Sequence, residues 1–166
     1  MRLHRGEILF RQGESGNLYR LEKGLIKVVR LQSDGSSLLF NLLVPGEFFP
    51  HHSLLSPHPY FATAIAVIPS EVTVVPADSW YQELEKNPHQ YRQVALHLQT
   101  TLRSIQERMD WTTAPSSQRL TLLRQWFQHR FPAEPLEERL TQEEIGQLLG
   151  LTRETVNRLM RKSKEK

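Results

Sequence analysis

Arg153, Glu154, Asn157, Arg158 and Arg161 recur at short offsets in the segment RETVNRLMRK near the end of the chain. At about 100° of turn per residue they fall within roughly a 140° arc of a helix, and Val156, Leu159 and Met160 fill the opposite arc. Side by side, these groups have a definite chemistry. Arginine makes bidentate bonds to guanine O6 and N7, glutamate accepts from cytosine N4, and a phosphate contact needs only a cation. A helix that merely held phosphate would have no use for Glu154. The bland alternative is a solvated amphipathic helix with an acid and an arginine four apart, so the elements before this helix must decide.

Those elements are in register. Thr141 with Glu144 spells a capping box that starts a first helix, and Ile145, Leu148 and Leu149 give that helix one apolar face. Gly150 ends it, and Thr152 caps the second. Two capped helices joined by a tight turn read as a helix-turn-helix whose second helix enters a DNA groove. The expected base-reading set is Arg153, Glu154, Asn157 and Arg158. Thr141, Gln142, Thr152, Arg161 and Lys162 are expected on phosphates.

The string EEIGQLLGLTRETVNRL resembles the DNA-binding segment of the cyclic-AMP receptor / fumarate-nitrate regulator (CRP/FNR) family of bacterial transcription regulators. The segments GEILFRQGE and YRLEKGLIKV resemble the first strands of that family's sensor domain, and VPGEFF resembles the approach to its ligand cassette. The likeness extends over almost the whole chain. It implies an α+β protein: an N-terminal β-roll of the cyclic-nucleotide-binding kind, related to cupin jelly rolls, then a long dimerisation helix and a C-terminal helix-turn-helix. It also implies a homodimer on double-stranded DNA, with RNA polymerase as a further partner. In the family the residues matching Arg153, Glu154 and Arg158 contact bases, which implies an inverted repeat of TGTGA-like half-sites.

Composition agrees with a small regulator. A chain of 166 residues accommodates a sensor core of about 90 residues and a second unit of about 50. No apolar run approaches the roughly 20 residues of a membrane span, and MRLHRGEILF has no signal-peptide core, so no membrane role and a cytoplasmic location are expected. The chain has no cysteine. That excludes disulfides, thiolate zinc sites and the cysteine-held clusters used by the family's oxygen-sensing branch. The net charge is only +3, but residues 151–166 hold six Lys/Arg against two Glu, whereas residues 31–85 hold no Lys or Arg. A basic terminal stripe is the electrostatic footprint of a nucleic-acid binder.

The first 80 residues show short apolar runs (Ile8–Phe10, Leu18–Leu21, Leu25–Leu31, Leu38–Val44, Ala62–Ile68, Val72–Val75) punctuated by glycines and by Asp34-Gly35, a hairpin signal. From Ser79 to about Met109 the pattern turns helical with a break near Pro88. There Tyr91, Val94, Leu98, Leu102, Ile105 and Met109 step by three and four, drawing a narrow apolar stripe. With the resemblance, Val94, Leu98, Leu102, Ile105 and Met109 are expected at a dimer seam. WTTAPSS, Trp111–Ser117, reads as a hinge, and Leu120, Leu123, Phe127 and Phe131 mark one face of a helix over 117–131. The expected domains are residues 1–88, 89–111 and 112–166.

A cyclic nucleotide is an anion, and burying its phosphate without a cation costs several kcal/mol. The family's cyclic-AMP binders use a glutamate for the ribose and an Arg-Ser pair for the phosphate. Aligned on Gly46-Glu47-Phe48, the glutamate position falls at His51 and the pair falls among Tyr60, Phe61 and Ala62, so cyclic AMP is not expected to bind. The candidate effector pocket is His51, His52, Tyr60 and Phe61, for a small apolar or weakly acidic effector of unknown identity or for none. No cofactor is expected, although Phe49-Pro50-His51-His52-Ser53 resembles the F-x-x-H-S heme-ligating cassette of a carbon-monoxide-sensing branch and nominates His52 for a heme- or metal-dependent alternative. A cupin-like metalloenzyme is least favoured, since Leu54 stands where that pattern needs a second ligand and no catalytic constellation stands out, so no enzyme is expected. The sequence starts almost at the first strand and stops at Lys166, without the β-hairpin wing that follows the reading helix in the family. A truncated partner that does not bind DNA is therefore another alternative.

Overall fold

The computed structural model describes residues 1–162. The apolar runs become β2 (Ile8–Phe10), β3 (Leu18–Lys23), β4 (Ile26–Leu31), β5 (Ser37–Leu43), β7 (Thr63–Ala66) and β8 (Ser70–Val75). Two strands of two residues each, β1 (Arg2–Leu3) and β6 (Phe48–Phe49), are additional. They carry no period of their own and exist because β8 and β3 offer paired edges, Leu3 opposite Ser70 and Phe49 opposite Tyr19. One sheet has the order β1-β8-β3-β6 and the other β2-β7-β4-β5. The Asp34-Gly35 hairpin forms: Gln32 N–H donates to Ser36 O at 2.8 Å, and Asp34 Oδ1 accepts from the Ser36 hydroxyl and backbone N–H. Those bonds hold the Asp34 carboxyl below its ordinary pKa.

Between the sheets lies a core of Leu3, Phe10, Tyr19, Leu21, Ile26, Leu43, Phe49, Tyr60, Ala64, Ala66 and Val72. Its centre is aromatic. Phe10 stacks on Tyr60 at a centroid distance of 4.0 Å and on Tyr19 at 5.6 Å, and Tyr19 stacks on Phe49 at 5.9 Å. A second cluster joins Leu18 and Leu54 of the roll to Leu84 of α1 (Ala77–Lys86) and Val94 of α2 (Pro88–Thr113).

The stripe on α2 has one period and two fates. Val94 is 3% exposed in that cluster and Leu98 packs against it, whereas Leu102, Ile105 and Met109 are 57%, 38% and 57% exposed. Val94 is therefore a core residue and not an open seam position, because the roll lies under this part of the helix. The break after α2 is also narrower than the hinge expected at Trp111–Ser117. The helix runs through Thr113, and Ala114 and Pro115 alone separate it from α3 (Ser116–Arg130), Pro115 serving as its N-cap. Residues divide into two compact units, Met1–Ser37 with Asn41–Ser104, and Leu38–Phe40 with Ile105 onward.

In the C-terminal unit, α3 brings Leu120, Leu123 and Phe127 to a core shared with α5 (Gln142–Leu149) and α6 (Arg153–Lys162) through Ile145, Leu149, Val156 and Met160. After Pro135 the chain makes a single helical turn, α4 (Leu136–Arg139), that buries Leu136. A wing would lie outside the described residues.

Candidate nucleic-acid interface

The reading head assembles from local chemistry. Glu144 N–H donates to Thr141 Oγ1 at 3.1 Å and Thr141 N–H donates to Glu144 Oε2 at 2.8 Å, so both halves of the capping box are present. At the other end of α5, Gly150 adopts φ 61°, ψ 41°, the left-handed conformation that a residue without Cβ takes at least cost. Leu151 N–H then donates to Gly146 O at 2.9 Å. The chain folds back so closely that a Cβ on Gly146 would lie 2.5 Å from Leu151 O. This second glycine is a requirement of the turn that the helical pattern alone did not reveal. Thr152 Oγ1 accepts from Thr155 N–H at 3.2 Å and starts α6.

Helix α6 buries Val156 and Met160 and leaves Arg153, Glu154, Arg158, Arg161 and Lys162 exposed, with Asn157 half-buried. Glu154, Asn157, Arg158, Arg161 and Lys162 line one shallow concavity, which brings three of the four expected base readers together with two expected phosphate contacts. Arg153 is exposed one turn earlier. Gln142 shares a wider groove with Asn157, Met160 and Arg161 on the flank of the helix. The Thr141 and Thr152 hydroxyls are engaged as helix caps, and the Thr141 N–H is taken by Glu144 Oε2.

The four residues expected at an effector pocket are divided: the His52 and Phe61 rings meet edge to face with centroids 6.3 Å apart, whereas Tyr60 lies in the core. Tyr60 is 4% exposed in the aromatic core, its hydroxyl donating to Asn17 O at 2.8 Å, and burial raises its pKa above the ordinary phenol value. Phe61, the next residue, is exposed, and the Arg30 guanidinium lies 4.1 Å above its ring. Arg30 lies just outside the cation-free stretch and reaches Phe61 from β4. No local pattern signals that approach.

His51 is half-buried with Nε2 3.4 Å from Glu47 Oε2. His97, from α2, places Nε2 3.1 Å from Phe48 N and 3.3 Å from Phe48 O, so it accepts from the backbone N–H when neutral. Burial holds its pKa below the ordinary imidazole value. His52 is exposed and its Nε2 lies 3.1 Å from Pro59 O. Among the described residues no group of three His, Asp or Glu side chains is arranged to hold a metal ion.

The same architecture appears in known proteins. Residues 1–87 match the family model for the cyclic nucleotide-binding domain, and residues 139–166 match that for bacterial regulatory proteins of the crp family. A CRP-like cAMP-activated global transcriptional regulator of Mycobacterium tuberculosis is 31% identical over 166 residues, covering 94% of this chain and 73% of that protein. The fumarate and nitrate reduction regulatory protein of Yersinia pestis is 27% identical over 166 residues, covering 95% of this chain and 66% of that protein. Both are regulators and not enzymes. Among solved structures, a CRP-family transcriptional regulator of Thermus thermophilus, TTHB099, superposes with a TM-score of 0.80 at 22% identity, over 99% of this chain and 84% of that one. FixK2 of Bradyrhizobium japonicum gives a TM-score of 0.76 at 20% identity, over 99% and 83%. At that identity the likeness shows the fold.

Proposed function

Since the chain belongs to the CRP/FNR family of bacterial transcription regulators, we propose that it works as a homodimer that reads an inverted-repeat operator through α6 and does so without cyclic AMP. The observation that carries the reading is the composition of one exposed helical face: Arg153, Glu154 and Arg158 stand in solvent while Val156 and Met160 anchor the opposite side. Two such helices across a two-fold axis would enter successive major grooves with half-site centres about 34 Å apart. The arginines suit guanine O6 and N7, and Glu154 suits the amino group of the cytosine opposite one of those guanines. Lys162, at the end of the helix, suits a phosphate.

In vitro site selection at fixed salt tests the assignment. Arg158→Ala should cost about 1–3 kcal/mol and relax preference at one position, whereas Lys162→Ala should weaken all sequences alike and reduce the salt slope. An Arg158→Ala variant that selects the wild-type sequence with uniformly weaker binding would make Arg158 a phosphate clamp and overturn its role as a reader.

The cyclic-AMP part of the proposal rests on Tyr60. A buried phosphate needs a cation or several donors, but the position of the family's phosphate-binding pair is held by an aromatic ring whose only hydroxyl is engaged by Asn17 O. Arg30, which comes near the cassette, faces the exposed ring of Phe61. Calorimetry should therefore show cyclic AMP binding no tighter than about 1 mM, or about 4 kcal/mol. Saturable low-micromolar binding would overturn it.

A further inference from the structure

Arg119 belongs to the first turn of α3, and its guanidinium gathers carbonyls from two helix ends. Nε donates to Ala114 O at 2.8 Å, the residue that follows the last turn of α2. Nη1 donates to Leu149 O at 2.9 Å and reaches Gly150 O at 3.4 Å, the last residue of α5 and its cap. Carbonyls at helix C-termini lack intrahelical partners and carry the negative end of the helix dipole, so a cation is their best partner. A planar guanidinium offers donors in divergent fixed directions; the ammonium of a lysine is a single point on a flexible stem. One side chain therefore holds the end of α2 and the turn into α6 at fixed separation.

We propose that Arg119 is a positioning residue for base reading. It sets the angle at which the turn releases α6, and it transmits the position of the α2 end to the reading face. The inference rests on the DNA-reading role of α6 proposed above. Arg119 is half-buried, and its guanidinium bonds backbone carbonyls and takes no apolar side chain's place in the core of Leu120, Leu123, Phe127, Ile145 and Val156. Its loss should accordingly leave the core packed while the turn acquires angular freedom. Base contacts require side chains held to within about 0.5 Å, whereas phosphate contacts with long cationic side chains tolerate more.

The test compares Arg119→Met, which keeps the aliphatic stem, and Arg119→Lys with the wild type. Binding is measured to the selected operator and to random-sequence DNA at several salt concentrations. Hydrogen exchange is followed at the amides of residues 150–156. Arg119→Met should reduce the operator-to-random ratio by at least about tenfold, with binding to random sequence and its salt slope unchanged. Exchange in the turn should rise while exchange in the roll stays the same, and Arg119→Lys should recover part of both. An unchanged ratio overturns the proposal. Equal loss on both DNAs with a collapsed melting transition also overturns it, because the role would then be fold stability alone. If the wild type prefers no sequence, the DNA-reading proposal fails and takes the base-reading part of this one with it; unchanged exchange in Arg119→Met would overturn the positioning of the turn separately, and raised exchange would uphold that positioning alone.

Discussion

Replacing Leu102 and Ile105 with aspartate should leave the protein monomeric at micromolar concentration and abolish tight operator binding. These side chains, with Met109, continue the stripe of α2 beyond the part that the roll covers, and they stand 57%, 38% and 57% exposed. Burying one leucine or isoleucine side chain contributes about 1.5–3 kcal/mol, so two per protomer in a symmetric seam contribute on the order of 6–12 kcal/mol. The substitutions remove that contribution and place like charges opposite each other across the axis. The dissociation constant should rise by a factor of about a thousand or more, each 1.4 kcal/mol being tenfold. Val94 and Leu98 are unsuitable for this test, since both pack against the roll and a charge there would unfold it. Sedimentation velocity decides: a strictly monomeric wild type, or a double variant that sediments as a dimer, would remove α2 as the seam.

The second large effect is expected from a single methyl group. Gly146→Ala puts a Cβ 2.5 Å from Leu151 O, with Leu151 C at 3.5 Å and Thr152 C at 3.6 Å. All three are backbone atoms, so no rotamer change relieves the contact, and moving them breaks the Leu151 N–H bond to Gly146 O. Overpacking of this kind costs about 1–3 kcal/mol, partly offset by about 1 kcal/mol of better helix propensity for alanine. The larger consequence is geometric, because the displaced backbone is the turn that aims Arg153 and Arg158. Operator binding should fall by about tenfold, within the roughly 1–3 kcal/mol expected for loss of one base-reading contact. Tryptophan emission from Trp111 and Trp126, whose rings are 5.1 Å apart in this unit, should report the altered packing. Wild-type operator affinity in Gly146→Ala would show that the turn adapts freely.

The helix-turn-helix was legible from residue order because its determinants sit within a few residues of the groups they satisfy: Thr141 with Glu144, Gly150 at the left-handed cap, Thr152 with Thr155. Long apolar runs and Asp34-Gly35 likewise announced the main strands, since a period of two and a turn dipeptide need no distant partner. Packing settled what remained. It made strands of Arg2–Leu3 and Phe48–Phe49 by lending them an edge, and it divided one helical stripe into buried Val94 and exposed Leu102 by placing the roll under only half of it. It turned Tyr60 into the core and Phe61 outward, carried Arg30 to Phe61 and His97 to Phe48, and set Arg119 across two helix ends. Such contacts join residues far apart in sequence or on different elements. Their energy depends on which surfaces meet, a property of the packed chain that no window of neighbouring residues contains.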